Sequence, residues 1–134
     1  MLSRRRFAAC ALCAATGLAA SGAAAQSTPG VTRKILRRIE FPSDRYVTLL
    51  VSAEIPANAL VARHTHPGVE STYILEGSGV FAMQGQADRT ISAGGSFQIP
   101  PGVPHAVKNG PAVTRIVASY VVEKDKPLAS PAPD

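Results

Sequence analysis

Residues 64–77 read His64-Thr65-His66-Pro67-Gly68-Val69-Glu70-Ser71-Thr72-Tyr73-Ile74-Leu75-Glu76-Gly77, and residues 94–109 read Gly94-Gly95-Ser96-Phe97-Gln98-Ile99-Pro100-Pro101-Gly102-Val103-Pro104-His105-Ala106-Val107-Lys108-Asn109. In an extended chain residues i and i+2 project to one face, so the imidazoles of His64 and His66 leave side by side, ~7 Å apart along the strand. Pro67-Gly68 is a turn signal that lets Glu70 swing back toward the same centre from the next strand. The stiff run Pro100 to Pro104 aims His105. All three histidines of the chain thus stand at strand ends or turns, and two of them are paired.

Imidazole nitrogens with one carboxylate suit Fe, Mn, Ni, Cu, Zn or Co and do not favour Ca or Mg. Three unrelated surface or core histidines would meet the same spacing, so the residues alone leave both readings open. By strand alternation Ala62, His64 and His66 share the inner face, with Arg63 and Thr65 pointing away. Thr72 and Ile74 then follow Glu70 inward, Phe97 shares a face with Ile99, and His105 shares one with Val107 and Asn109. The expected cup is apolar, with few polar groups beyond the four candidates. Phe81, Met83 and Tyr120 are expected to line it or to fill the core, and Asn109 to brace a turn.

Outward from these stretches the chain reads as all-β. All 11 prolines and most of the 11 glycines lie after residue 25, at intervals that leave no room for a helix of ten residues between Pro67 and Pro111. The pieces between are rich in Val, Ile, Thr, Tyr and Phe. Strands are expected over 45–55, 60–65, 71–75, 79–84, 88–91, 96–99, 105–108 and 114–123. The length of 134 residues allows one ordinary domain. It leaves no room for a TIM barrel or a repeat array.

The two ends differ from the centre. Residues 1–25 combine a basic start, an apolar run and Ala23-Ala24-Ala25, the pattern of a cleaved signal peptide. Ser3-Arg4-Arg5-Arg6-Phe7 resembles a bacterial twin-arginine signal, with a general secretory signal as the alternative. The implied location is the periplasm or beyond, with no stable membrane anchor after cleavage. Cys10 and Cys13 both fall in this leader, so residues 26–134 hold no thiol and no disulfide. Arg4, Arg5 and Arg6 account for three of the 14 basic side chains, so the 109 residues after Ala25 carry 11 basic and 9 acidic groups, a net +2 rather than +5. Arg33-Lys34 and Arg37-Arg38 form a small basic cluster without an aromatic platform, which reads as a solvated face and not as a nucleic-acid site. Residues 124–134 (KDKPLASPAPD) read as a loose tail, with packing against a partner subunit as the alternative.

The two quoted stretches resemble the paired motifs of the cupin family. The first has H-x-H, a short spacer, E, six residues and G. The second has G, five residues, P-x-G, two residues, H, three residues and N. The sixteen residues between Gly77 and Gly94 match compact bacterial single-domain cupins of the quercetin-dioxygenase-like kind. One departure is Asn58, six residues before His64, where the family has glycine; Asn tolerates left-handed backbone angles. The motif core spans 58–109 within a domain of 26–134. The resemblance implies a single-domain jelly-roll β-barrel, commonly a homodimer. It also implies that His64, His66, Glu70 and His105 ligate one divalent transition metal (Fe, Mn, Ni, Cu or Zn), with positions left open for a small-molecule ligand or substrate.

Such a centre keeps about one positive charge and favours anionic or oxygen-rich molecules such as enolates. Three function classes follow. One is a dioxygenase-like enzyme in which Glu70 acts as general base. The others are an isomerase or lyase on the same scaffold, and a non-catalytic metal- or small-molecule-binding module. A fold that hosts many functions does not choose among them.

Overall fold

A computed structural model of the chain describes residues 30–133. Residues 1–25, read from the sequence as a signal peptide, fall outside them. The described residues form ten strands and no helix: β1 (Thr32–Ile39), β2 (Tyr46–Ile55), β3 (Leu60–Thr65), β4 (Gly68–Glu76), β5 (Ser78–Met83), β6 (Arg89–Ser92), β7 (Ser96–Ile99), β8 (His105–Asn109), β9 (Thr114–Glu123) and β10 (Ser130–Pro131). Two five-stranded antiparallel sheets result. Sheet one has the order β1-β2-β9-β4-β7, and sheet two has β10-β3-β8-β5-β6. This is the expected all-β jelly-roll barrel. Eight strands lie where the apolar and β-branched runs placed them, within a few residues.

Period-two alternation sets the interior. On β2, Val47, Leu49, Val51, Ala53 and Ile55 are buried while Glu54 and Leu50 face out. On β9, Thr114, Ala118, Tyr120 and Val122 are buried. The core divides into two clusters. One gathers Ile55, Val61, Ile74, Phe81, Met83, Ile91, Phe97, Ile99 and Val107, with Phe81 stacked on Phe97 at 4.4 Å. The other gathers Val47, Leu49, Val51, Ala118, Tyr120 and Val122.

Alternation misplaces one residue on β3. Ala62 is exposed and Val61 is buried. Val61 pairs with Val107 and His64 pairs with His105, so β3 carries one extra residue between them. This bulge rephases the strand, and side chains three positions apart both point inward. The expected Ala62 position on the inner face therefore passes to Val61.

Two turns show why particular residues stand in them. Asn58 has φ +60° and takes the left-handed turn that links β2 to β3, its N–H donating to Gly110 O at 2.8 Å. The Asn109 side-chain amide bolts this turn down by donating to the carbonyls of Ile55, Pro56 and Ala112, and its Oδ1 accepts from the Thr114 hydroxyl at 2.6 Å. At Gly68 the chain leaves β3 and enters sheet one flush against β9. A Cβ there would stand 2.0 Å from the Val121 carbonyl oxygen, which accounts for the glycine.

Residues 124–133, read from the sequence as a loose tail, are a correction. They return along the barrel, add β10 to the edge of β3 and seat Leu128 on the second core cluster. The segment is poor in large apolar groups, but one leucine and a few backbone hydrogen bonds anchor it. β1 was not among the expected strands. Its sequence TRKILRRI is mostly exposed, and pairing to β2 holds it in place.

Candidate metal centre

The four candidate side chains come from both sheets and the crossing between them. His64 lies one residue before the end of β3 and His105 opens β8 in sheet two, while Glu70 lies on the inner face of β4 in sheet one. His66 sits at the crossing from β3 to β4. The ligand nitrogens of His64, His66 and His105 all lie within 4.8 Å of one another. Glu70 Oε2 is 2.8 Å from His66 Nε2 and 3.7 Å from His105 Nε2. The structure therefore brings all four together, and the three histidines could hold a metal ion.

Backbone carbonyls orient every imidazole. Each Nδ1 faces one: His64 that of Ala62 at 2.8 Å, His105 that of Val103 at 3.0 Å, and His66 that of Leu128 at 2.5 Å. A neutral imidazole has one proton, and a carbonyl can only accept it. The proton is thus held on Nδ1 and the Nε2 lone pairs are left to converge. His66 Nε2 is buried and finds no hydrogen-bond donor or acceptor in good geometry, although Glu70 is close. A bare, buried lone pair beside a carboxylate oxygen fits a site that would hold a cation on both groups. Three nitrogens and a carboxylate match a borderline divalent transition metal.

Burial works to keep His64 and His105 neutral. His64 titrates at about 4, lowered first by desolvation and then by the neighbouring His105. His105 is lowered by desolvation as well, against its Val103 hydrogen bond and the Glu70 charge, which work to raise it. For Glu70, burial works to raise the pKa. The adjoining His66, a 2.5 Å hydrogen bond donated by the Thr72 hydroxyl and the nearby His105 outweigh it and hold the carboxyl below its usual range. Tyr120 packs edge-on against His66 at 5.0 Å. Burial and then the Glu70 charge push its hydroxyl far up, so it stays protonated.

These groups open on a cavity of about 50 Å³, lined by His64, Glu70, His105 and Tyr120 and by an apolar wall that includes Val51, Phe81, Phe97 and Ile116. The apolar cup expected from alternation is present, and Phe81 and Tyr120 line it. Met83 does not; it stands opposite His105 in β5 and packs in the core. Arg33 also lines the cavity. It pairs in register with Ala53, whose side chain faces inward, so Arg33 leaves β1 on the inner face. Its side chain remains exposed, so the solvated reading of the basic cluster stands, and Arg33 adds to it a place at the rim of the cavity. Leu128 was missed entirely, since a carbonyl leaves no trace in a sequence.

The Cupin domain model matches residues 51–120, more than half of the chain. No curated protein matches the sequence. Among solved structures, a cupin-like protein from Thermotoga maritima is similar with TM-score 0.61 and 22% identity, over 76% of this chain and 75% of that one. The polyketide cyclase RemF from Streptomyces resistomycificus is similar with TM-score 0.60 and 24% identity, over 78% and 72%. The DMSP lyase DddQ from Ruegeria pomeroyi is similar with TM-score 0.59 and 22% identity, over 63% of this chain; the chain spans 43% of that protein's length. Likeness at these identities shows the fold alone. Fold, motif spacing and family match agree, and the chain belongs to the cupin domain family.

Proposed function

We propose that this cupin holds one divalent transition metal on His64, His66, His105 and Glu70 and binds a small anionic, oxygen-bearing molecule there, an enolate or a carboxylate, in an oxygenase-type reaction. The observation that carries the reading is the set of three imidazoles, each pinned through Nδ1 to a carbonyl, with Nε2 atoms convergent in a buried site. When bound, such a metal would supply Lewis acidity and, where redox-active, electron transfer toward oxygen.

The chain's own residues shape the rest. A 50 Å³ chamber has room for roughly four waters or the reacting end of a small molecule. A flavonol-sized molecule would keep most of its body outside. The apolar walls exclude water and strengthen each polar contact inside. Tyr120 stays protonated and so donates a hydrogen bond. Arg33, at the rim, can pair with a carboxylate that the centre does not take. Among the described residues Glu70 is the only carboxylate lining the chamber, and it is the proposed proton acceptor as well as a ligand. One observation favours the non-catalytic module as a second reading. The Glu70 pKa is held down, which suits a ligand and weakens a base. The proposed location is the periplasm or beyond, on the strength of the leader pattern.

The test is direct. Protein stripped of metal and reloaded separately with Fe, Mn, Ni, Cu and Zn should bind one ion per chain, and His64→Ala/His66→Ala should bind none. Oxygen uptake is then followed with small enolisable carboxylates. Uptake with a redox metal supports the oxygenase. Tight ligand binding with every metal and uptake with none moves the protein to the module class. Wild-type protein that binds no metal refutes both.

A further inference from the structure

Two of the three imidazoles take their carbonyl partner from the strand end they stand on. His64 uses Ala62 and His105 uses Val103, each two residues back. His66 is different, because its partner, Leu128, lies 62 residues away in sequence. The segment carrying that carbonyl is tied on both sides of the contact. Before it, the chain turns after β9 with an ion pair between Lys126 and Glu123. The Leu128 side chain itself is seated on the cluster of Val47, Leu49, Val51, Ala118, Tyr120 and Val122. After it, β10 pairs Ser130 with Thr65 and Pro131 with His64. The Ala132 N–H donates to Arg63 O at 3.1 Å, and Arg63 Nε donates to Pro133 O at 2.8 Å.

We infer that this C-terminal strap, residues 124–133, is a positioning element of the centre: the Leu128 carbonyl selects the His66 tautomer that leaves Nε2 free for a ligand. The inference rests on the metal reading above for its consequence and on geometry for its cause. Neutral His66 has one proton and two places to put it. On Nδ1 the proton meets Leu128 O at 2.5 Å. On Nε2 it would meet Glu70 Oε2 at 2.8 Å. Without the strap, Nδ1 loses its acceptor and the second arrangement is preferred. His66 then donates to Glu70, and one hydrogen bond removes two donor atoms from the centre. The strap holds the site open by competing for that proton.

The test uses the full chain with labelled histidine nitrogens, metal-free and then titrated with zinc. Leu128→Asp/Arg63→Ala removes the anchor on one side of the contact and the Pro133 tie on the other. Loss of hydrogen-exchange protection at the Ala132 amide reports that the strap is unseated. In wild type the His66 proton is expected on Nδ1. In the unseated variant it moves to Nε2, and zinc binding weakens about tenfold or more. Arg63→Ala alone leaves the core untouched and keeps the test alive should the double variant fail to fold; there tautomer and affinity should shift in proportion to lost protection. An unseated strap with the His66 proton still on Nδ1 overturns the inference. Wild-type protein that binds no zinc would refute the metal reading, while the tautomer measurement still decides the role of the strap.

Discussion

Acid should loosen the metal-free protein well before its carboxylates titrate, and His64 should account for much of the loss. In the unfolded chain His64 protonates near 6.5, and in the folded one at about 4, because burial disfavours the charged ring. The unfolded state therefore binds the proton first. Stability is full above pH 6.5 and falls as pH drops toward 4. The full shift would cost the folded state about 2 kcal/mol by pH 5. The ring is partly exposed, and screening by water reduces this to roughly 1–2 kcal/mol. His105 is lowered for the same first reason and adds in the same direction. Glu70, also lowered, contributes stability that is lost only in stronger acid, as pH falls through its folded value. The histidines thus act before the carboxylate in the window from pH 6.5 to 5. The assay is urea unfolding of metal-free protein between pH 8 and pH 5, beside His64→Asn. The variant should lose roughly 1–2 kcal/mol less across that range, a difference of ~1 M urea in midpoint. Saturating zinc should add about 2.7 kcal/mol of stability at a hundredfold excess over Kd, and move the acid loss lower. Equal pH slopes for wild type and His64→Asn would refute the burial argument.

Thr72→Val keeps the side-chain volume but removes the hydroxyl that donates to Glu70 Oε1 at 2.5 Å; metal affinity should fall about tenfold in calorimetric titration, and the Glu70 carboxyl should titrate higher. Asn109→Ala removes the amide that the carbonyls of Ile55, Pro56 and Ala112 and the Thr114 hydroxyl share, leaving Pro56 only the Ala59 N–H and Thr114 only Ser78 O, so thermal unfolding should show a loss of about 3 kcal/mol and a Tm lower by more than ~10 °C. Gly68→Ala places a methyl against the Val121 carbonyl oxygen; soluble yield and Tm should both fall, and an unchanged Tm would mean that β4 can shift away from β9. Arg4→Lys/Arg5→Lys should stop export of the folded protein, followed by fractionation, whereas unchanged export would assign the general secretory route.

Much of the barrel was legible in the sequence for a local reason. Proline and glycine punctuate the chain too often for helices, and the alternation of Val, Leu, Ala and Ile on 47–55 states which face is buried. The four candidate ligands were legible because strand geometry and turn chemistry act over a few residues: His64 and His66 two apart, Glu70 past a Pro-Gly turn, His105 after a stiff proline run. Asn58 was legible as a left-handed turn residue, and φ +60° agrees. Alternation failed where backbone register intervened. The bulge on β3 adds one residue opposite β8, and no side chain between Leu60 and His64 announces it.

The sequence by itself determined eight of the ten strands, the family and the identity of the groups that converge, because each depends on residue type and short-range spacing. Tertiary structure decided everything that depends on a partner far along the chain. It brought Arg33, still exposed, to the rim of the cavity, because pairing with β2 sets which way it faces. It set Tyr120 against His66 and kept Met83 out of the cavity. It also made a proline-rich tail part of the centre. Every residue but the last carries the same carbonyl, so only the folded path of the chain could bring the one at Leu128 to His66 Nδ1.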